Sequence, residues 1–427
     1  MPPDTWRRAI LALMVVLSTP AVAGKTSLIL PETPEPTRFV VRGPAIVDRQ
    51  QGDAPVFFRG IGYSPYLRGA SPLLGMDLPD DGRYAANLDL ARQLGANYLH
   101  VFPNPMPPAF FAALDAADLV YGQDIWIQPR APDFLADDFQ SGTSARLRTI
   151  IDHAYRVGRP DRLVLFSVGD ELAPESIAAT DRLHPDVHDF QGRHLAVSGR
   201  TPTEVALARL IDGAMDYELT RYGRRHLYCH TSFTHVGPLP RPDLEVPPES
   251  AVLPDLGDLV CLNVYTYARG VISSPPGSVT GTSYQGYLEE LTAATAKPVF
   301  ITQVGLSTSP FEPKPWVPGF GGHRVEDVPA TFRAVWQDVR TARGKEHITG
   351  LAFFELHDEW WKSGETADDS TRLNPEDPEE WFGLYALDDA GHLIPKGAIP
   401  ETVRAIFGRP RALSDPSSRV LEGEQPR

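Results

Sequence analysis

Two adjacent acidic residues stand where an apolar run of the sequence ends. Asp170 and Glu171 follow the run 163–168 after a single glycine. A carboxyl group in such a position can act as a general acid when its pocket raises its pKa. Acidic residues are also favoured in the first turn of a helix, where they interact with the helix dipole. The segment itself leaves both interpretations open.

A second acid-rich cluster follows the apolar run 350–354 and reads Glu-Leu-His-Asp-Glu-Trp-Trp-Lys over residues 355–362. Aromatic rings stack on the apolar faces of sugars while carboxylates accept hydrogen bonds from hydroxyls, so this mixture suits a carbohydrate ligand. Trp381 and Trp316, in loops rich in proline and glycine, extend the pattern. For any single tryptophan, packing at the rim of the fold is the favoured interpretation.

Eight strand-like runs alternate with helix-length segments. Continuous apolar runs are typical of parallel strands buried on both faces, and their alternation with helices predicts right-handed crossovers. No G-x-G-x-x-G motif opens a first helix, which disfavours an open doubly wound sheet. We predict an α/β fold, a single (β/α)₈ TIM barrel with a short N-terminal β-hairpin of residues 39–41 and 56–58. The predicted strands are the run ending at Tyr63 and residues 97–102, 124–128, 163–168, 227–231, 259–265, 298–304 and 350–355.

The barrel predicts where functional side chains lie, because the loops after the strands build the sites of such folds. Function-capable residues do follow the predicted strand ends. They are Tyr63 after strand 1, His100 near the end of strand 2, Asp170 and Glu171 after strand 4, Tyr265 and Tyr267 after strand 6, Gln303 at the end of strand 7 and residues 355–361 after strand 8.

The N-terminal segment has the pattern of a cleavable signal peptide. Arg7 and Arg8 precede the apolar run 9–17, and Ala21-Val22-Ala23 forms a cleavage site. The run is too short to span a bilayer, so we expect a secreted or periplasmic protein without a membrane anchor after cleavage. The predicted organisation is a signal peptide (1–23), a proline-rich linker (24–37), the (β/α)₈ barrel (38–408) and a disordered tail (409–427).

Charge and cysteine content narrow the partners. The formal net charge of −15 without basic clusters makes nucleic acid an improbable partner and is compatible with a neutral ligand. Cys229 and Cys261 fall on adjacent predicted strands, where disulfide geometry is awkward, so two buried thiols are favoured over a disulfide. No cofactor or metal is expected, because the histidines lack paired ligand spacing. These are His153, His184, His188, His194, His230 and His235.

Six short motifs occur in an order that resembles clan A glycoside hydrolases, most closely the family 2-type catalytic barrels and related glucanosyltransferases. The resemblance covers residues 38–396, and the set of motifs is specific for the fold although each alone is weak. The motifs are Phe-Arg-Gly-Ile-Gly-Tyr (58–63), Leu-Gly-Ala-Asn (94–97), Gly-Asp-Glu (169–171), Asn-Val-Tyr (263–265), Lys-Pro-Val-Phe-Ile-Thr-Gln-Val-Gly (297–305) and Asp-Glu-Trp-Trp-Lys (358–362).

The resemblance implies roles for individual positions. Glu171 matches the general acid/base, and Asp170 replaces the preceding Asn that touches the 2-hydroxyl of the sugar. Gln303 stands at the position of the nucleophilic Glu. His100 matches an Arg at the end of strand 2, and Leu356 matches a Trp at the end of strand 8.

Gln303 decides the mechanism, because a neutral amide cannot form the glycosyl-enzyme ester of a retaining glycosidase. Three interpretations follow. The protein inverts, with Glu171 as acid and Asp170, Glu355 or Asp358 activating water; or a group of the substrate is the nucleophile, oriented by Gln303; or catalysis is lost and a sugar-binding cleft remains.

We therefore expect an exported glycoside hydrolase or transglycosylase that acts on a β-linked oligo- or polysaccharide. The alternative is an inactive glycosidase-like protein that binds glycan or assists polysaccharide assembly; a metal-dependent hydrolase is disfavoured. The candidate catalytic residues are Glu171, Asp170, Gln303 and Glu355, and the candidate substrate-binding residues are Tyr63, His100, Asn263, Tyr265, Asp358, Glu359, Trp360, Trp361 and Trp381.

Overall fold

The structure is a computed structural model, and it describes residues 26–30, 35–74, 78–103, 105–233, 252–268, 271, 282–312, 319–362 and 369–408. The predicted signal peptide and tail lie outside the described residues, as do Trp316 and His235.

A closed barrel of eight parallel strands forms the body of the protein, which confirms the predicted (β/α)₈ TIM barrel. Each strand pairs with its neighbours along the chain, and β8 closes the ring against β1. The strands are β1 (Phe58–Tyr63), β2 (Tyr98–Val101), β3 (Val120–Ile125), β4 (Leu163–Asp170), β5 (Leu227–Phe233), β6 (Val260–Asn263), β7 (Val299–Val304) and β8 (Ile348–Phe353).

Helices surround the barrel. In the described residues, β4 is followed by two helices and the segment directly after β5 lies outside the description. The helices are α1 (Arg83–Gln93), α2 (Pro108–Ala117), α3 (Asp137–Arg156), α4 (Pro174–Leu183), α5 (Pro202–Tyr222), α6 (Ser283–Ala293), α7 (Val328–Thr341) and α8 (Ile399–Phe407). Among the helices described, none is both long and apolar enough to cross a membrane.

Helix α5 shows how local sequence sets an element's limits. The Thr201 side chain accepts a hydrogen bond from the Glu204 amide, and the Glu204 side chain accepts one from the Thr201 amide. This capping box fixes the first turn, and Pro202 has no amide hydrogen to leave unpaired there. The helix ends at Gly223, whose φ of 74° lies in the left-handed region.

Strand β3 begins four residues before the predicted start, at Val120 instead of Asp124. The prediction was wrong because Gly122 resembles a strand breaker. In the structure Gly122 leaves room for the Tyr98 side chain of the neighbouring strand β2, and a Cβ at this position would collide with the Tyr98 hydroxyl. The glycine therefore serves close packing inside the barrel.

The N-terminal hairpin is present, but its second arm is not the predicted one. Strand Phe39–Arg42 pairs with Ala45–Asp48, and the latter also pairs with Ala54–Pro55. The turn at Gly43, with φ of 58°, reverses the chain after Arg42, so the polar turn at Gly52 comes one strand later. Within the predicted linker, Thr26–Ile29 pairs with Leu195–Ser198 and Glu35–Pro36 with Arg224–Arg225.

Cys229 and Cys261 form a disulfide, which corrects the prediction of two buried thiols. They lie on the neighbouring strands β5 and β6, where Thr231 is the register partner of Cys261. The cysteines are therefore diagonal rather than directly opposite, with a Cα–Cα distance of 6.2 Å that lies within the range a disulfide can bridge.

Aromatic side chains fill the barrel at the N-terminal ends of the strands. Phe58, Tyr98 and Phe300 lie on three strands, and their ring centroids are separated by 5.0–5.9 Å. All three are fully buried. This packing closes one end of the barrel, so a ligand site is left to the loops at the other end.

Candidate active site

A cavity of about 410 Å³ opens at the C-terminal ends of the strands. Its volume falls within the range of small-molecule sites, about 300–1,000 Å³. Aromatic rings form most of its wall, and its polar groups come from different strands and loops. The lining residues are Phe102, Trp126, Ile127, Pro129, Asp170, Glu171, Phe233, Tyr265, Tyr267, Gln303, Phe320, Phe354, Lys362, Glu379 and Phe382.

The backbone after β4 is bent so that Glu171 reaches the cavity. Gly169 has φ of 76° and Glu171 has φ of 48°, both in the left-handed region. A non-glycine residue held there costs on the order of 1–3 kcal/mol, and such strain clusters at functional sites. A Cβ on Gly169 would approach Ile127 Cδ1 to 3.0 Å, so glycine also serves close packing at this turn.

Asn263, at the end of β6, joins the two adjacent acids. Its Nδ2 donates to Glu171 Oε1 at 2.7 Å and to Asp170 Oδ1 at 3.1 Å. The Thr302 hydroxyl donates to Asn263 Oδ1 at 2.7 Å, which fixes the orientation of the amide. Both hydrogens of one amide nitrogen are thus spent on the two carboxyl groups.

Gln303, at the end of β7, completes a chain of hydrogen bonds with Asp170. Gln303 Nε2 donates to Asp170 Oδ2 at 3.3 Å, and the Tyr265 hydroxyl donates to Gln303 Oε1 at 2.8 Å. Five residues that the sequence predicts for the site are therefore brought together: Asp170, Glu171, Asn263, Tyr265 and Gln303.

The carboxyl groups of this site hold their protons more tightly than usual. Desolvation by the surrounding protein raises the pKa of Glu171, although its side chain is accessible from the cavity. Burial, followed by the charges of Asp124 and Glu171, raises the pKa of Asp170. Burial raises the pKa of Asp124 to about 7. Asp124 accepts a hydrogen bond from Trp126 Nε1 at 2.9 Å.

Lys362 is the cation described in the cavity wall. Its ammonium lies 5.1 Å from the ring centroid of Trp361, 5.5 Å from that of Phe354 and 5.9 Å from that of Trp126. Glu359 and Glu379 lie 3.5 and 3.9 Å from it. Burial alone lowers the pKa of Lys362, but the charges of these carboxylates outweigh it and raise the pKa above its usual value. Lys362 therefore stays charged.

Most of the strand-8 cluster lies beneath the cavity surface. Burial, followed by the charge of Glu359, raises the pKa of Glu355, and burial raises the pKa of Glu359 although the charge of Lys362 opposes it. Asp358 Oδ1 accepts hydrogen bonds from Lys396 Nζ at 2.5 Å and from the Gly383 amide at 2.9 Å. All three acids are 0–1% exposed.

The remaining predicted site residues do not line the cavity. The Tyr63 hydroxyl accepts from Asn87 Nδ2 at 2.9 Å, and His100 Nδ1 lies 3.1 Å from the Tyr98 hydroxyl. Burial lowers the pKa of His100 to about 4, so the ring is neutral. Trp381 Nε1 donates to the Asn374 carbonyl. Trp360 and Trp361 are 5% and 1% exposed, with Trp361 packed against Tyr66 and Trp126.

Leu356 is also outside the cavity wall, and Phe354 lies there in its place. Side chains alternate between the two faces of a strand, so Phe354 and Leu356 are positions that would point the same way. Because the predicted end of β8 was too late, Leu356 was assigned to the position that Phe354 takes. β8 ends at Phe353.

Three polar residues of the site were not among the candidates. Asp124 could have been recognised from the sequence, because burying a carboxylate within an apolar strand is costly and points to a specific role. Lys362 lies in the predicted acid–tryptophan motif but was not chosen from it. Glu379 lies in the short 3₁₀ turn Pro378–Trp381, and nothing in the sequence connects this loop with β4.

Within the described residues, no group of three or more His, Cys, Asp and Glu side chains could hold a metal ion. The histidines that are described bond to other partners. His153 lies 2.7 Å from the Met106 carbonyl, His230 lies 2.9 Å from the Val168 carbonyl, and His184 pairs with Asp133.

Comparison with solved structures finds family 2-type glycosidase barrels. A β-glucuronidase from Ruminococcus gnavus in complex with C6-substituted uronic isofagomine has a TM-score of 0.55 and 13% identity over 86% of this chain and 52% of that chain. A β-D-glucuronidase from Dictyoglomus thermophilum gives 0.55 and 13% over 86% and 53%. A GH2 β-galacturonidase from Eisenbergiella tayi bound to galacturonate gives 0.55 and 14% over 87% and 53%.

Because sequence identity is low, these similarities establish the fold and nothing further. The chain spans about half the length of each of these glycosidases. No family model matches the sequence, and a search of curated proteins finds no match.

Proposed function

We propose that this protein is an exported glycoside hydrolase or transglycosylase that acts on a β-linked glycan. The observation that carries the proposal is the pair of carboxyl groups of Asp170 and Glu171, held by one nitrogen of Asn263 in an aromatic-walled cavity. Catalysis of glycoside cleavage uses a pair of carboxyl groups, and aromatic walls suit the apolar faces of sugar rings.

Glu171 is the proton donor of the proposed reaction. Its raised pKa keeps the carboxyl protonated closer to neutral pH, where it can donate to the glycosidic oxygen as the bond to the leaving group breaks. The resulting carboxylate then takes a proton from the incoming water or sugar hydroxyl. Because the side chain is accessible from the cavity, the proton has a direct path to a bound glycan.

The spacing of the two acids argues against inversion with Asp170 as the base, so we propose retention. Asp170 Oδ1 and Glu171 Oε1 lie 3.1 and 2.7 Å from the same Asn263 nitrogen, so their separation cannot exceed the sum of these distances. That limit is shorter than the roughly 6.5–9.5 Å between the carboxyl groups of inverting enzymes, which must leave room for a water molecule.

The charge of the cavity favours a neutral sugar. The structural neighbours from R. gnavus and E. tayi have uronic ligands, which carry a negative charge. Here the cation of the cavity wall, Lys362, is already flanked by Glu359 and Glu379. It is therefore not free to pair with a uronate, whereas an uncharged glycan needs no such cation.

Export of the protein has support from the disulfide. Structural disulfides persist in oxidising compartments such as the periplasm and the extracellular space. The Cys229–Cys261 bond is consistent with the predicted signal peptide, residues 1–23.

A screen of β-glycans for release of reducing ends tests the proposal. The full chain should consume at least one of them, and Glu171→Gln should reduce turnover by about 10²–10⁴-fold while binding persists. Glu346→Gln, at an exposed position, is the matched control. NMR of the first product should show a retained anomer.

Each outcome has a clear meaning. Unchanged turnover by Glu171→Gln would remove this residue from the mechanism. An inverted anomer would contradict the proposed retention. Glycan binding on an array without consumption of any glycan would identify a binding protein instead of an enzyme.

A further inference from the structure

The cavity contains a cleft that fits one amide group, and an amide of the protein occupies it. Asp170 Oδ2 accepts from Gln303 Nε2 at 3.3 Å, and the Tyr265 hydroxyl donates to Gln303 Oε1 at 2.8 Å. Asp170 and Tyr265 thus present an acceptor for an N–H group and a donor for a carbonyl oxygen. This pattern is complementary to a carboxamide, which offers an N–H donor and a carbonyl acceptor side by side.

We propose that the substrate is a 2-acetamido-2-deoxy-β-glycoside, and that its acetamido group takes over the two contacts that Gln303 makes. The inference rests on the proposed glycosidase function and specifies the substrate class of the same site. The sugar ring lies in the aromatic-walled cavity with its N–H on Asp170, its carbonyl oxygen on Tyr265 and its glycosidic oxygen near Glu171.

A nucleophile from the substrate resolves the missing carboxylate at β7. Glu171 gives its proton to the glycosidic oxygen, the bond from C1 to that oxygen breaks, and the acetamido carbonyl oxygen forms a bond to C1. The product is a cyclic oxazolinium, whose N–H remains bonded to the Asp170 carboxylate. Water then attacks C1 and gives a proton to the Glu171 carboxylate. The bond from C1 to the oxazolinium oxygen breaks, and the acetamide is restored. Two displacements leave the anomer retained.

Asp170 is less suited to attack C1 itself. Its two oxygens already accept hydrogen bonds from the amides of Asn263 and Gln303. Asp170 and Glu171 are also neighbours on the same strand end and share the Asn263 nitrogen, so both reach the sugar from the β4 side. A group that attacks C1 must come from the face opposite the proton donor.

The opposite wall provides donors rather than a nucleophile. β6 and β7 lead into Tyr265 and Gln303, a phenol and an amide. Burial raises the pKa of Tyr265, so its hydroxyl stays protonated and remains a donor. A donor at this point holds a carbonyl oxygen in place and leaves one of its lone pairs free to react.

The experiment compares 4-methylumbelliferyl β-glycosides of 2-acetamido-2-deoxyglucose, 2-acetamido-2-deoxygalactose, glucose and 2-amino-2-deoxyglucose with the full chain. An acetamido donor should be the preferred substrate. In a series with zero to three fluorines on the N-acyl group, kcat/KM should fall by at least about 100-fold, because an electron-poor carbonyl is a weaker nucleophile.

One variant locates the effect. Asp170→Asn should lower kcat/KM for the acetamido donor by about 10²–10³-fold, since it loses the charge that stabilises the oxazolinium. Glu346→Gln is the control, and unchanged thermal unfolding shows that each variant is folded.

The outcomes separate this inference from the proposed function. Equal or faster turnover of the glucoside, or a flat response to fluorination, overturns the acetamido substrate and leaves the glycosidase. If no β-glycoside is consumed at all, both proposals fail.

Discussion

Two acid-rich clusters lie at the same end of the barrel, and only one of them opens to the cavity. We call them the open cluster and the closed cluster. In the open cluster, the acids accept hydrogen bonds from neutral amides; in the closed cluster, Asp358 pairs with Lys396 and Glu359 with Lys362. The open cluster is Asp170, Glu171, Asn263, Tyr265 and Gln303, and the closed cluster is Glu355, His357, Asp358 and Glu359.

The difference shows what separates a candidate catalytic acid from a structural one. Both clusters follow a barrel strand, and both contain acids with a raised pKa. The number of acids and a raised pKa therefore do not distinguish them. Access and partners do: Asp358 and Glu359 are buried against lysines, whereas Asp170 and Glu171 line the cavity and accept hydrogen bonds from neutral amides.

The largest expected contrast comes from matched Glu→Gln changes in the two clusters. Glu171→Gln should lower kcat/KM by about 10³-fold, because it removes the proton donor. Glu355→Gln should leave kcat/KM within about threefold, since its side chain does not reach the cavity and an amide replaces the carboxyl at equal size. Steady-state kinetics on one substrate measure both.

Equal losses in the two variants would mean that the clusters act together. The Lys362 ammonium lies 3.5 Å from Glu359 and lines the cavity, so it is the one described side chain that joins them. In that case Lys362→Met should reproduce the loss.

Sequence patterns located the open cluster because the physics of a parallel barrel is simple. The ends of parallel strands meet at one edge, so Glu171 after β4, Asn263 on β6 and Gln303 on β7 had to converge. Patterns could not tell which acids would be covered. That depends on the loops that carry Trp126 and Glu379, whose positions no strand periodicity fixes.

The same limit explains the smaller errors. The position of Leu356 follows from where β8 ends, and strand ends are weakly encoded. The disulfide depends on a diagonal approach of Cys229 and Cys261, which apolar patterns do not reveal.

Removing Lys396, which pairs with Asp358 of the closed cluster, should affect stability more than catalysis. Lys396→Met leaves the Asp358 carboxylate buried without its cation, and removing one partner of a buried pair costs about 3–5 kcal/mol. Urea unfolding measures this loss. The kcat of the folded variant should match that of the parent chain. Lys345→Met, at an exposed position, is the control.

An unchanged midpoint for Lys396→Met would show that Asp358 is not an ion-paired structural acid. The acids of the closed cluster would then lack a stabilising cation, as those of the open cluster do.

Next in size is the disulfide between β5 and β6. The Cys229–Cys261 bond closes a loop between residues 32 positions apart, and replacing both cysteines by alanine should lower the free energy of unfolding by about 3–4 kcal/mol. Thermal unfolding with and without dithiothreitol measures it. The reductant should destabilise the parent chain and have no effect on the double variant; an equal response of both would contradict the bond.

The smallest expected effect concerns Asp124, whose charge raises the pKa of Asp170 in the open cluster. Asp124 is fully buried beside Asp170, and burial raises its pKa from 3.8 to about 7. A pKa raised by folding means that the folded chain holds the proton more tightly than the unfolded chain. The stability that this proton contributes is complete below pH 4 and is lost as the pH rises towards 7.

Asp124→Asn removes this titration, so the parent chain should lose roughly 1–3 kcal/mol relative to the variant between pH 4 and pH 8. Urea unfolding of both proteins across that range measures the difference. In the closed cluster, Asp358 is paired with Lys396 and has its charge balanced within the fold. Parallel stability curves for the parent chain and Asp124→Asn would mean that folding does not raise the pKa of Asp124. The acids with a raised pKa at the open cluster would then be Asp170 and Glu171, which line the cavity.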